Sequence, residues 1–261
     1  MTGISCVCPT TARRWWCLPL AVECWQRQTH SERELVVVVD GDPFVPADPS
    51  DPHGTQEHIS NLVPLDDDRV RYVYLQGERT LGEKYNACLE AASYDWVALW
   101  ADDDWHAPTR LEATAALISD GIDVVGDWTF LMHVLSDKHR FTGLYQLQRA
   151  TVPPSYIISG TMCVRRELAL DIGFPAKPRG SDDVFVHKLL VQRRARLARL
   201  RQPPYLYVGF AHGENVSNRI RSEDAARDPC WRPWPGDLDE LMGGDLAKYE
   251  AAYLLRQYDS P

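Results

Sequence analysis

The sequence predicts an α/β fold with a mainly parallel central sheet flanked by helices. Two observations carry this. Short β-branched runs alternate with segments of helical spacing over the first half of the chain, and the runs stop at Pro, Asp or Gly. The 261 residues are 44% hydrophobic and 25% charged, a globular composition long enough to bury a full core. Alternation of this kind gives parallel neighbours, because a strand that pairs in the same direction as its predecessor needs a crossover, and the intervening helix is that crossover.

The elements follow in order. Residues 4–8 form an apolar run ended by Pro9, and residues 35–39 form a β-branched run ended by Asp40-Gly41. Both read as buried strands with sharp exits. Between them, residues 12–28 carry Leu18, Val22 and Trp25 at helical spacing, with Pro19 the one breaker. The pattern repeats as a strand over 70–75, a helix over 81–92, a strand over 96–100, a helix over 108–118 and a strand over 122–125. Residues 42–58, rich in Pro, Asp, Gly and His, read as a long exposed loop. Beyond residue 127 the spacing predicts strands over 128–134 and 140–147 with a turn at 136–139, helices over 165–170 and 182–200, a strand over 207–210, and a final helix over 238–256.

Charge and cysteine usage narrow the function. The formal net charge of −9 excludes a basic nucleic-acid grip as the default. No apolar run approaches the ~20 residues needed to cross a bilayer, and Arg13-Arg14 followed by residues 15–22 lacks a small-residue cleavage site, so the N-terminus is expected to belong to the fold. The seven cysteines, at 6, 8, 17, 24, 88, 163 and 230, are odd in number and form no CxxC pair. They point to small buried hydrophobes in a reduced, cytoplasmic setting.

In open parallel sheets, ligands bind beyond the carboxyl ends of the strands. Pro9-Thr10, Asp40-Gly41-Asp42 and Asp102-Asp103-Asp104 each lie at such an end, so three separated segments converge on one rim. Three successive carboxylates are unfavourable unless a cation, a helix N-terminus or solvent offsets them. Hard oxygen donors of this kind suit magnesium or manganese, which accept phosphate oxygens beside one or two carboxylates. The plainer alternative is that Asp104 caps the next helix and its neighbours are solvated.

Cys6-Val7-Cys8-Pro9-Thr10, Gln28-Thr29 and the segment from Glu34 to Gly41 resemble the opening of family-2 glycosyltransferases of the GT-A fold. Leu81-Gly82-Glu83-Lys84-Tyr85-Asn86 and the run from Asp102 to Leu111 resemble that family's G-x-x-R-N helix and its acidic metal segment, in the same order and at similar spacing. The resemblance covers residues 3–118. It implies a GT-A (Rossmann-like) sheet with a small mixed β extension on the acceptor side. It also implies a nucleotide-diphosphate sugar donor, with a UDP-sugar the first expectation, and Mn2+ or Mg2+. Carried over residue by residue, it assigns Pro9, Thr10, Thr11, Arg13, Asp40, Lys84, Asn86, Asp102 and Asp103 to the donor, and Asp103, with Asp104 as a further candidate, to the metal. Two positions depart: Val39 stands where the family usually has Asp, and Ala101 stands where many members have the first acid of D-x-D.

An inverting sugar transfer needs a general base at the acceptor hydroxyl, and an ionised carboxylate suits that work. Gly180-Ser181-Asp182-Asp183-Val184-Phe185 resembles the family's G-E-D-x-x-F element, which puts Asp182 at the catalytic base and Asp183 as its fallback. Both acids would also serve a helix N-terminus. Residues 211–217 resemble the family's H-G-x-N-x-S segment, so His212 becomes a candidate metal or diphosphate ligand; alone it would be an ordinary polar loop residue. The arginines between 193 and 201 read as a solvated helix face, with a nucleic-acid or anionic-lipid patch as the sharper alternative. Trp231 and Trp234 read as core packing before sugar stacking.

The expectation is an inverting, metal-dependent glycosyltransferase. Residues 1–126 form its donor half, 127–222 its acceptor and catalytic-base half, and 223–261 a tail packed on the same domain. The acceptor is open between a glycan, a small molecule and a modified nucleic acid, as is the oligomeric state. One rival is a catalytically silent nucleotide-sugar binding module, which Val39 and Ala101 favour. A second is a nucleotidyltransferase, which the absence of glycine from residues 8–14 disfavours.

Overall fold

A computed structural model describes residues 2–46, 56–62, 67–135, 140–146, 156–200, 205–212 and 230–255. Fourteen strands are found among them: β1 (Ile4–Thr11), β2 (Arg33–Asp40), β3 (Phe44–Pro46), β4 (Gln56–His58), β5 (Val70–Leu75), β6 (Trp96–Leu99), β7 (Trp105–His106), β8 (Val124–Gly126), β9 (Thr129–Leu135), β10 (Arg140–Gln146), β11 (Cys163–Arg165), β12 (Leu197–Arg199), β13 (Tyr207–Ala211) and β14 (Trp231–Pro233). The α-helices are α1 (Leu18–Gln26), α2 (Leu81–Ala91), α3 (Arg110–Ala115), α4 (Arg166–Ile172), α5 (Ser181–His187), α6 (Leu238–Leu241) and α7 (Leu246–Leu255).

The main sheet runs β12-β8-β11-β6-β1-β2-β5 and is parallel except for β11, which lies antiparallel between β8 and β6. Side chains alternate between two cores, as the period of a strand requires. Cys6, Cys8, Leu35, Val37 and Val39 face the first core with α1 and α7, whereas Val7, Val36 and Val38 face the second with α2, α4 and α5. Burial on both faces explains why β2 is a continuous apolar run. A second, mixed sheet, β14-β10-β9-β13-β7, forms the extension beside it. The expected mainly parallel sheet with a small mixed companion is therefore the observed architecture.

Local chemistry sets several boundaries differently from the sequence reading. The helix expected over 12–28 opens as a 3-10 turn (Ala12–Arg14), and α1 begins only where Pro19 fits its first turn. α2 begins as expected, on a reciprocal Thr80–Glu83 capping box. The helix expected over 182–200 is the short α5 and one π-helical turn (Lys188–Gln192), after which Arg194 takes a positive φ of 53° and the chain becomes edge strand β12. The arginines there are consequently no continuous helix face: Arg193 pairs with Asp171, and Arg196 with Asp123. The final helix is two, divided where Gly243 and Gly244 adopt positive φ. The loop expected over 42–58 contains the β3–β4 pair. The turn over 136–139 lies outside the described residues. All seven cysteines are free thiols, six of them buried. No helix among the described residues is long and apolar enough to cross a membrane.

Candidate active site

Parallel alignment brings the ends of β1, β2 and β6 to one edge, where a cavity of about 650 Å3 opens. Pro9, Thr10 and Thr11 line it from β1, and Lys84 and Tyr85 from α2. The Lys84 Nζ donates to the Thr10 carbonyl at 3.0 Å and to Asp40 Oδ1 at 2.9 Å. Asp40 Oδ2 in turn accepts the Arg79 N–H at 2.7 Å. A buried ammonium thus ties β1, β2 and α2 together while neutralising the carboxylate behind it.

Asp102, Asp103 and Asp104 follow β6 and are all buried. Thr10 Oγ1 donates to Asp102 Oδ2 at 2.6 Å. The Arg14 Nη2 lies 3.0 Å from Asp102 Oδ1 and 2.5 Å from Asp103 Oδ2, and His212 Nε2 lies 3.0 Å from that same Asp103 oxygen. Burial pushes the Asp103 carboxyl up, but Arg14 and His212 together outweigh it and hold it below the usual carboxylate range. Asp102 is raised, by burial and by the charge on Asp103, with Arg14 opposing. Asp104 is raised well above its ordinary value by burial and Asp103, although the Tyr207 hydroxyl and the Phe210 N–H both donate to it.

The backbone bearing these acids is pinned from behind. Trp105 Nε1 donates to Asp245 Oδ2 at 3.2 Å, and the Tyr249 hydroxyl donates to the Asp104 carbonyl at 3.1 Å. Buried Gln28 donates to the Ala107 carbonyl at 2.8 Å and accepts the Leu111 N–H at 3.0 Å. Arg110 donates to the Leu99 carbonyl at 3.1 Å and to the Gly160 carbonyl at 2.8 Å, which joins the acidic strip to the opposite wall. Those bonds explain why Gln28 and Arg110 accompany the acidic run in the sequence.

The opposite wall carries Asp182 and Asp183 at the start of α5, together with Tyr156, Ile158, Ser159 and Arg179. Ser159 Oγ donates to Asp182 Oδ2 at 2.5 Å, and the Tyr156 hydroxyl donates to the Asp183 carbonyl at 2.9 Å. Gly180 precedes the helix in a left-handed conformation, φ 66°, which turns the chain so that both acids reach the cavity.

Nine of the residues singled out in the sequence, Pro9, Thr10, Thr11, Lys84, Asp102, Asp103, Asp104, Asp182 and Asp183, line this one cavity. His212 and Asp40 stand behind it, bonded to Asp103 and Lys84. Two lie elsewhere. Arg13 is exposed and faces Glu78 at 3.7 Å, because successive residues of a 3-10 turn diverge by a third of a revolution. Asn86 is spent on the Phe174 backbone, donating to its carbonyl and accepting its N–H. Sequence reasoning missed Arg14, Tyr207 and Ser159. Only Arg14 carried a signal, a basic residue just past a strand end, and the expected continuous helix hid it.

Among the described residues no three His, Cys, Asp or Glu side chains gather to hold an ion unaided. The two donors that do converge, Asp103 Oδ2 and His212 Nε2, are 3.0 Å apart, the separation of neighbouring ligands on a manganese-sized ion. This pair fits a metal completed by substrate phosphate oxygens and water.

The sequence profile of glycosyl transferase family 2 matches residues 5–169. The fold is similar to S. aureus TarS 1-349 in complex with UDP-GlcNAc, at TM-score 0.57 and 20% identity over 85% of this chain and 63% of that one. It is also similar to the mannosyltransferase PcManGT from Pyrobaculum calidifontis in complex with GDP-Man and Mn2+, at TM-score 0.56 and 16% identity over 97% of this chain and 73% of that one. The chain therefore spans less than two thirds of the TarS chain. No curated protein matches the sequence.

Proposed function

The chain belongs to glycosyl transferase family 2, and from that premise we propose that it transfers a sugar from a nucleotide-diphosphate donor to an acceptor hydroxyl, with inversion at the anomeric carbon. The observation that carries this reading is the opposition, across one cavity, of the Arg14–Asp103–His212 cluster and the Asp182 carboxylate. The solved relatives hold UDP-GlcNAc in one case and GDP-Man with Mn2+ in the other, which supports a nucleotide-sugar donor and a divalent ion here.

In this mechanism Pro9, Thr10 and Thr11 flank the nucleoside, and Lys84 keeps that wall in register by holding Thr10 against Asp40. Asp103 and His212 would hold Mn2+ or Mg2+. When bound, such an ion supplies positive charge to the leaving diphosphate. Asp182 accepts the acceptor's proton as the hydroxyl oxygen attacks the anomeric carbon, and Ser159 orients that carboxylate by donating to one oxygen, leaving the other for the acceptor. Arg110 fixes the separation of the two walls by bonding Leu99 on one side and Gly160 on the other. We assign residues 1–126 to the donor and residues 127–222 to the acceptor and base.

One experiment tests this proposal. Incubation with UDP-, GDP-, TDP- and CDP-sugars, with and without Mn2+, is expected to raise the unfolding temperature for one nucleotide class, because a ligand that binds only the folded state stabilises it. That donor then releases its nucleoside diphosphate in the presence of an acceptor pool, and the product carries the inverted anomeric configuration by NMR. Ala101, which lines the cavity where the family's first acid is expected, favours a second reading as a binding module. Stabilisation by a nucleotide sugar with no release from any acceptor pool would select that second reading.

A further inference from the structure

Arg14 falls outside the motifs that resemble the family, yet it makes the closest ionic contact of the cluster. Its side chain is 14% exposed, and its Nη2 reaches both Asp102, at 3.0 Å, and Asp103, at 2.5 Å. The buried indoles of Trp15 and Trp16 follow it, Trp16 standing edge-on to His212 with ring centroids 5.2 Å apart. The backbone is thereby anchored while the arginine side chain lines the cavity.

The two contacts to Asp103 converge on one atom. Oδ2 meets both the Arg14 guanidinium and His212 Nε2. A divalent ion on Oδ2 and Nε2 would put its charge against a guanidinium nitrogen that already occupies that oxygen. Two cations cannot share it without strong repulsion in a buried setting.

We propose that Arg14 is a resident cation that competes with the divalent ion for Asp103. Without donor, its guanidinium neutralises Asp102 and Asp103 and keeps free metal off Oδ2. When the donor enters, the guanidinium transfers to a diphosphate oxygen, for which its planar fork is well matched, and Asp103 is released to the ion. The ion and the nucleotide then bind with positive coupling, and premature metal loading is suppressed. This inference rests on the donor class proposed above.

The test measures Mn2+ binding to the full chain by electron paramagnetic resonance, with and without UDP, GDP, TDP or CDP. It also measures nucleotide binding in EDTA by calorimetry. Wild type, Arg14→Gln and Arg14→Lys are compared, with circular dichroism confirming the fold. In wild type, the nucleotide is expected to tighten Mn2+ binding by roughly tenfold or more. Arg14→Gln is expected to bind free Mn2+ about tenfold more tightly, to lose most of the nucleotide-induced gain, and to bind nucleotide in EDTA about tenfold more weakly. Arg14→Lys keeps the charge but not the fork, so it restores weak binding of free Mn2+ while still binding nucleotide in EDTA less tightly than wild type. Unchanged free-Mn2+ affinity in Arg14→Gln overturns the inference. If that variant does not fold, nucleotide affinity of Arg14→Lys equal to wild type in EDTA overturns it. Wild type that binds none of UDP, GDP, TDP and CDP, alongside an Mn2+ shift in Arg14→Gln, would instead overturn the function proposed above and leave the competition for Asp103 standing.

Discussion

The two walls of the cavity solve the same problem, holding carboxylates ready, by opposite means. On the β1/β2/β6 wall every acid is buried and matched to a fixed partner: Asp40 to Lys84, Asp102 to Thr10 and Arg14, Asp103 to Arg14 and His212, Asp104 to Tyr207. On the α5 wall, Asp182 is only half-buried and bonds the single hydroxyl of Ser159 among side walls that include Tyr156 and Ile158. Charges buried as a network are rigid and costly to disturb, whereas a half-exposed carboxylate can exchange partners. The first arrangement suits recognition of a charged group, the second a proton acceptor.

Substitutions should separate the walls accordingly. The largest loss is expected from Asp103→Ala, about a thousandfold in turnover if the ion contributes several kcal/mol to the transition state, with Mn2+ binding lost in parallel. Next comes Asp182→Asn. Removing a general base is expected to slow transfer by roughly 10^2 to 10^4 while leaving the dissociation constant for UDP or GDP unchanged, and an equal loss of nucleotide binding would erase the distinction between the walls. Lys84→Met strands the buried Asp40 carboxylate and should cost about 3–5 kcal/mol in urea unfolding.

Two smaller effects sharpen the comparison. Gly82 on α2 faces the segment leading into α5; a Cβ there would lie 1.9 Å from the Pro175 carbonyl oxygen and 2.5 Å from Ser181 Oγ. Gly82→Ala should therefore cost about 1–3 kcal/mol of stability and, by shifting the residue next to Asp182, lower kcat more than nucleotide affinity. His106 is held neutral by burial and by Arg110, well below the ordinary histidine value of 6.5. Because the unfolded chain takes up a proton there and the folded one does not, wild type loses stability as pH falls through about 6.5. His106→Gln should show a shallower loss between about pH 7 and pH 5 in thermal unfolding, where histidine titrates.

The rim was legible in the sequence because strand ends are marked by composition: Asp40-Gly41 closes β2 and the acidic run follows β6, whereas Pro9 marks β1 two residues early, since that strand continues to Thr11. What escaped notice was set by backbone geometry that composition does not encode. The 3-10 turn (Ala12–Arg14) sends Arg13 outward and Arg14 inward, and helical spacing alone cannot distinguish these neighbours. β11 is three residues long and runs against its neighbours, so it offered no period to detect. Helical spacing continued past Arg194, whose positive φ is unusual for a side chain of its kind and ends the helix in favour of β12. Gly243-Gly244 was visible as a breaker, but the leucines on either side concealed it.

Tyr249 on α7 has a consequence for how the protein comes into being. Its hydroxyl supports the Asp104 carbonyl and its ring stacks on Phe210, 4.4 Å between centroids. During synthesis the chain emerges from the ribosome with β1, β2 and β6 first, yet this support arrives about 150 residues after the acids it steadies. The early sheet can form on schedule, while the cleft waits for α7 before its floor is complete. Nascent chains therefore carry an unfinished cleft from the emergence of Asp104 until Tyr249 follows.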